Sequence, residues 1–83
     1  MGYVVFEDLD WAEGPAVHHD SCPRYVRRKL EATTVRWHEG YPDYPSATTE
    51  ARSIARPEHQ ARLDPPCCRP AAHWAEEQDI AGQ

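Results

Sequence analysis

Eighty-three residues suffice for one small domain, in which surface is large relative to interior. The sizeable apolar side chains are few, chiefly Val4, Val5, Phe6, Val17, Tyr25, Val26, Leu30, Val35, Trp37, Ile54, Leu63, Trp74 and Ile80, so a stable fold calls for a staple beyond the core. No run of about 20 apolar residues exists to cross a membrane.

Net charge is −5, but its distribution says more than its sum. Residues 1 to 22 hold Glu7, Asp8, Asp10, Glu13 and Asp20 with no Lys or Arg, and residues 74 to 83 hold Glu76, Glu77 and Asp79 with none. All nine basic residues lie between Arg24 and Arg69, where six acids leave a net +3. The domain thus has an acidic N-terminal segment over 1–16, a basic middle and an acidic C-terminal helix or tail over 71–83. Eight of the nine basic residues are Arg, which with the Ala and Pro content suggests a GC-rich coding genome.

In chain order, Tyr3 to Phe6 is an apolar run short enough for a strand and bounded by acids. The N-terminus has neither a basic region nor a long apolar stretch, so no secretory signal is expected and the reading is cytoplasmic. Asp10 to Pro15 is a turn, and Ala16-Val17 leads into His18-His19-Asp20-Ser21-Cys22-Pro23. Arg24, Arg27, Arg28 and Lys29 are spaced for one turn of helix. From Thr33, alternation of Thr33, Val35 and Trp37 against Thr34, Arg36 and His38 predicts a half-buried strand ending at Gly40. A proline-punctuated loop, Tyr41 to Pro45, precedes a helix with Ser46 at its N-cap and Ala47, Ala51, Ile54 and Ala55 on one face; Pro57 closes it. A short helical turn over Glu58 to Leu63 is expected next, starting with Pro57. Pro65-Pro66 then enforces an extended approach to Cys67-Cys68, and Ala71 to Glu77 has helical composition with Trp74 as anchor and a frayed end. The fold class is α+β: two or three short antiparallel strands and one or two short helices, joined by a metal.

The chemistry is concentrated in two clusters of soft ligands, His18 with Cys22 and Cys67 with Cys68, each beside proline. Three cysteines cannot all pair, and a reducing compartment favours thiolates over disulfides. Two such corners meeting from distant positions are what a closed tetrahedral zinc site requires, so zinc is the expected cofactor, with His18, Cys22, Cys67 and Cys68 as its ligand set. His19, His38 or His73 remain alternatives for completing it. Adjacent cysteines can both ligate only where the backbone turns between them, since successive side chains of an extended chain diverge. Competing readings are buried thiols and a redox-active vicinal pair.

His18-x3-Cys22-Pro23, the Tyr44-Pro45-Ser46 loop opening a helix with Glu50-Ala51, and Cys68-Arg69-Pro70 resemble the small metal-binding domain of the Ada DNA-repair methyltransferase family, similar domains of which occur at the ends of some bacterial nucleases. The resemblance spans residues 17 to 70 and implies His18, Cys22 and Cys68 as ligands. It departs at Pro65, which stands where the family's C-x2-C corner has its first cysteine, and it transfers no catalytic activity.

No HExxH, phosphate-binding glycine loop or nucleophile elbow is present, so the expectation is a protein that is not an enzyme. The leading functional reading is a zinc-stabilised binding module docking on a larger protein or nucleoprotein assembly, with Trp11, Tyr41, Tyr44 and Trp74 as exposed anchors. The alternatives are a nucleic-acid-binding accessory protein using Arg24, Arg27, Arg28 and Lys29, and a redox-sensing thiol protein. The basic segment is otherwise expected to offset the acidic ends. No membrane partner or small-molecule substrate is indicated.

Overall fold

The computed structural model describes residues 2–81 as an α+β unit. Three strands, β1 (Tyr3–Asp8), β2 (Ala16–His19) and β3 (Val35–Tyr41), form an antiparallel sheet in the order β2-β1-β3. The helices are α1 (Pro23–Val26), α2 (Tyr44–Ile54) and α3 (Pro70–Ala81). None is long and apolar enough to cross a membrane among the described residues. The fraying expected at the extreme C-terminus concerns residues 82 and 83, outside those described.

Register explains how so short a chain builds two interiors. Val5 faces Val17 across the β1–β2 ladder and Tyr3 faces His19, so these side chains share one face of the sheet. On that face α2 packs against the strands and α3 against β2 and α2. The resulting core is small: Tyr3, Val5, Val17, Ala47 and Ala51, with Tyr41, Tyr44, Ile54, Ala61, Leu63 and Trp74 packed around it. The opposite face carries Val4 with His18, and Phe6 with Ala16 and Trp37. Here the metal-ligand candidates gather in place of a second apolar layer.

Between Tyr3 and Val5 the β1–β3 register shifts, two residues of β1 spanning the stretch from His38 to Tyr41 on β3. Gly40 in this stretch has φ 91, a backbone conformation that costs glycine nothing. The bulge returns Tyr41 to the core face, opposite Tyr3. Without it, Tyr41 would face the other side of the sheet.

Several expectations need correction. α2 starts earlier than Ser46, because Asp43 is the N-cap: its Oδ1 accepts from the Ser46 amide at 2.8 Å. Residues 58 to 63 form no helical turn. The Arg62 amide donates to the Pro15 carbonyl at 2.7 Å and the Val17 amide to the Arg62 carbonyl at 3.0 Å, so this stretch is drawn out along the edge of β2. The strand begins at Val35 rather than at Thr33. Nor are Trp11, Tyr41, Tyr44 and Trp74 exposed anchors. The last three pack on the core, where the Tyr44 hydroxyl donates to the Leu63 carbonyl at 2.6 Å, and Trp11 lies half-buried with the Arg56 guanidinium 3.7 Å above its ring.

The Asp43 cap yields a signed pH prediction. Hydrogen bonds from Ser46 hold the Asp43 carboxyl below the usual range. Its contribution is therefore complete above the ordinary carboxylate pKa and is lost as pH falls through the depressed folded value. Asp43→Ala should lower Tm by the same margin from neutral to mildly acid pH, with the margin closing only below the ordinary carboxylate range. Thermal melts at stepped pH check this; a margin that shrinks already between pH 7 and pH 5 would mean that a different group is titrating.

Candidate metal centre

β2 supplies the first corner. Its alternation sends His18 to one face of the sheet and His19 to the other, and a turn closed by the Cys22 amide on the His19 carbonyl at 2.9 Å brings Cys22 back beside His18. Cys22 then caps α1, its carbonyl accepting from Tyr25 and Val26 at 2.9 Å, and Pro23 holds the first helical position. Both ligand candidates are buried, His18 at 1% exposure and Cys22 at 1%.

The second corner solves the problem of adjacent cysteines with a turn over 66–68. The Arg69 amide donates to the Pro65 carbonyl at 3.0 Å, and Arg69 itself adopts φ 49 before Pro70 starts α3. A left-handed arginine is strained, and it is held there: Asp64 accepts from Arg69 Nε at 3.3 Å and from the Ala71 amide at 3.2 Å. Pro65 and Pro70 are both buried, fixing the two ends of the turn. Cys67 and Cys68 consequently point to the same place.

That place is His18. Its Nδ1 lies 3.5 Å from Cys22 Sγ, 3.4 Å from Cys67 Sγ and 3.7 Å from Cys68 Sγ, while Cys22 and Cys67 Sγ are 3.5 Å apart. All four donor atoms lie within 4.8 Å of one another, the one such group among the described residues that could hold a metal ion. A tetrahedral zinc with bonds of about 2.3 Å to sulfur and about 2.05 Å to nitrogen has edges of about 3.8 Å between sulfurs and about 3.6 Å from sulfur to nitrogen. The spacings fit those figures, the Cys22 and Cys67 sulfurs at 3.5 Å lying slightly closer than a bound ion would hold them. All three cysteines are free.

The electrostatics suit a cation at the centre. Burial pushes the Cys68 thiol up to about 12, against an amide hydrogen bond from His19 at 3.4 Å that favours the thiolate, and burial also raises Cys67. Three sulfurs this close cannot all carry charge without a cation among them. Burial, with Arg62 and Arg24 adding to it, lowers His18 to about 4, so the imidazole is neutral and its nitrogen is free to ligate.

The alternative histidines lie elsewhere. His38 Nε2 is 2.8 Å from Glu7 Oε1 on the core face of the sheet. His73 stacks on His19 at 4.4 Å, and His59 sits beside Trp11. His19 is buried on the core side, its Nδ1 2.7 Å from Ser21 Oγ and its Nε2 3.7 Å from Glu77. Its contribution to the centre is its backbone amide, a role that no side-chain pattern announces. Arg62 also went unsuspected, because it reaches the centre only through the extended segment that the sequence disguises as a helical turn.

The basic residues divide. Arg28 is committed within the fold, lying 4.0 Å over the Tyr25 ring, donating to the Tyr25 carbonyl at 2.8 Å and pairing with Glu39 at 3.4 Å. Arg24, Arg27 and Lys29 are exposed. The Arg28 partner, Glu39, belongs to the basic middle, while Arg62 joins Glu13 of the acidic N-terminal segment at 3.2 Å. Compared with known proteins, the chain matches no family model, no curated protein and no solved structure.

Proposed function

We propose that the protein is a non-enzymatic, zinc-stabilised binding module that docks on a larger macromolecular assembly. One observation carries the reading: four soft donors from opposite ends of the chain converge at tetrahedral spacing. One nitrogen and three sulfurs fill a zinc coordination sphere and leave no open position for substrate or water, so the metal would hold the fold rather than react. The soft, sulfur-rich set favours zinc over the hard cations magnesium and calcium. Kinship with Ada-type domains belongs to this reading and is supported by the same short motifs. Docking is supported by Val26 on α1 and Leu30 just after it, 63% and 82% exposed, because large apolar side chains left in water are available to a partner.

The protein should bind one equivalent of Zn(II), counted by elemental analysis, and one of Co(II), whose thiolate charge-transfer and ligand-field absorption would report a tetrahedral three-sulfur site. Cobalt spectra lacking thiolate bands, or no stoichiometric metal, would reject the centre. A nucleic-acid-binding accessory role is the second reading, favoured by the absence of carboxylate partners for Arg24, Arg27 and Lys29 among the described residues. Steeply salt-dependent retention on single-stranded DNA would favour it over protein docking.

A further inference from the structure

The face of the sheet that carries His18 is incompletely covered, and beside His18 lies an open-sided hollow of about 490 Å³. Phe6 and Trp37 line it together with Arg24, Arg27 and Glu13. Trp37 is fixed by three rings, with Phe6 at 5.2 Å, Tyr25 at 5.3 Å and His18 at 5.5 Å, so a ligand stacking on it would meet a surface that has already lost its freedom. The two arginines are exposed and, among the described residues, pair with no carboxylate.

Their charges have different calls on them. Arg24 also lines a second hollow with Arg62 and Cys67, so it stands close to the single net negative charge that three thiolates and a neutral imidazole leave on a divalent ion. Arg27 lines only the first hollow and has no such neighbour. Glu13 is tied to Arg62 at 3.2 Å, leaving one carboxylate at the site to accept from an amino group.

We propose that this hollow binds a ligand joining a planar heteroaromatic ring to a phosphate, the chemistry of a nucleoside monophosphate. An aromatic platform accepts any flat base, a guanidinium fork matches a phosphate edge, and the volume falls in the range of about 300–1,000 Å³ usual for small-ligand sites. The free nucleotide and the phosphorylated end of a strand share this chemistry. The inference rests on the metal reading in that Cys22 caps α1, which carries Arg24, and in that the charge of the loaded centre is what engages Arg24 rather than Arg27.

The test is an amide and side-chain NMR titration of zinc-loaded protein with adenosine monophosphate, adenosine, inorganic phosphate, and a short oligonucleotide with and without a 5′-phosphate. Adenosine monophosphate should shift the Trp37 indole and the Arg27 Nε resonances at lower concentration than adenosine or phosphate alone. Arg27→Ala should weaken binding about tenfold with zinc content unchanged, since loss of one charged hydrogen bond amounts to about that factor, and Arg52→Ala, on the exposed side of α2, should leave it unaltered. Tighter binding of the 5′-phosphorylated strand than of the mononucleotide would identify a strand end, and the reverse a free nucleotide; both uphold the site. No shift at about 5 mM ligand, well beyond a useful affinity, would overturn it. So would shifts confined to Arg28 and Lys29, equal weakening by Arg52→Ala, or preference for the unphosphorylated strand. Zinc loss in Arg27→Ala would show that Arg27 serves the fold, and zinc counted independently of ligand keeps failure of the site distinct from failure of the metal centre.

Discussion

Stripping the metal with a chelator at neutral pH is expected to unfold the protein, abolishing the near-UV circular dichroism of its three tryptophans. The magnitudes decide this. Structural zinc contributes about 10–16 kcal/mol in small domains, as much as the whole net stability of about 5–15 kcal/mol that folded proteins possess. The remaining core cannot compensate, since its fully buried members include Ala16, Ala47 and Ala51 and its largest aliphatic side chains are valines. The side of the sheet bearing His18 has, in place of a helix layer, the ligand group itself. Cys22→Ser should reproduce the loss, because Cys22 is buried and anchors both the centre and α1, whereas His59→Ala should not. Retention of the aromatic signal and of Tm after metal removal would refute structural zinc, and equal stability of the two variants would refute the ligand assignment.

The second large effect should come from Gly14→Ala. Gly14 is buried against the segment that follows α2, and an added Cβ would drive into the Gln60 carbonyl oxygen while lying 2.9 Å from both the Gln60 carbonyl carbon and the His59 oxygen. Those are backbone atoms and cannot swing aside. The segment is held by the exchange of hydrogen bonds between Arg62 and Pro15-Val17, and five residues later it delivers Cys67. Displacing it therefore disturbs the second ligand corner as well as the packing, so destabilisation should reach about 3 kcal/mol or more, with weakened metal affinity. Gly40→Ala is the comparison. Gly40 has φ 91 but open space around it, so only backbone strain of about 1–2 kcal/mol should follow, without an effect on metal. Denaturant unfolding and a metal competition assay on both variants test the contrast, which fails if their losses are equal.

The parts of this molecule visible in the sequence are those set by residue chemistry. Three cysteines and a histidine in two proline-flanked clusters marked the candidate centre, because few other roles suit that combination. An apolar run marked Tyr3 to Phe6, two-residue alternation marked the strand through Trp37, and helical composition marked the stretch after Cys68. What stayed hidden depends on contacts between distant residues. Ser46 and Asp43 are both good caps, and the choice between them rests on where the chain leaves β3. Residues 58 to 63 look helical in composition yet pair with β2, a tertiary interaction that overrides local preference. The left-handed Arg69 that ends the turn carrying Cys67 and Cys68 has no sequence signature, since arginine rarely adopts that conformation. Tyr44 and Trp74 read as surface anchors because composition cannot tell an aromatic that recruits a partner from one that caps its own core.

The sheet order β2-β1-β3 also bears on how quickly the chain reaches this structure. Its central strand is the earliest in sequence, so β1 can complete its ladder to β2 with His19 but its ladder to β3 only with Tyr41, and His18 and Cys22 wait for two partners nearly fifty positions further on. With α1 only four residues long, little local structure lowers the entropy of those closures in advance. Folding is thereby governed by distant encounters, slow for so small a domain, and an ion seized by the first corner while the second is still searching would act as the nucleus around which the sheet closes.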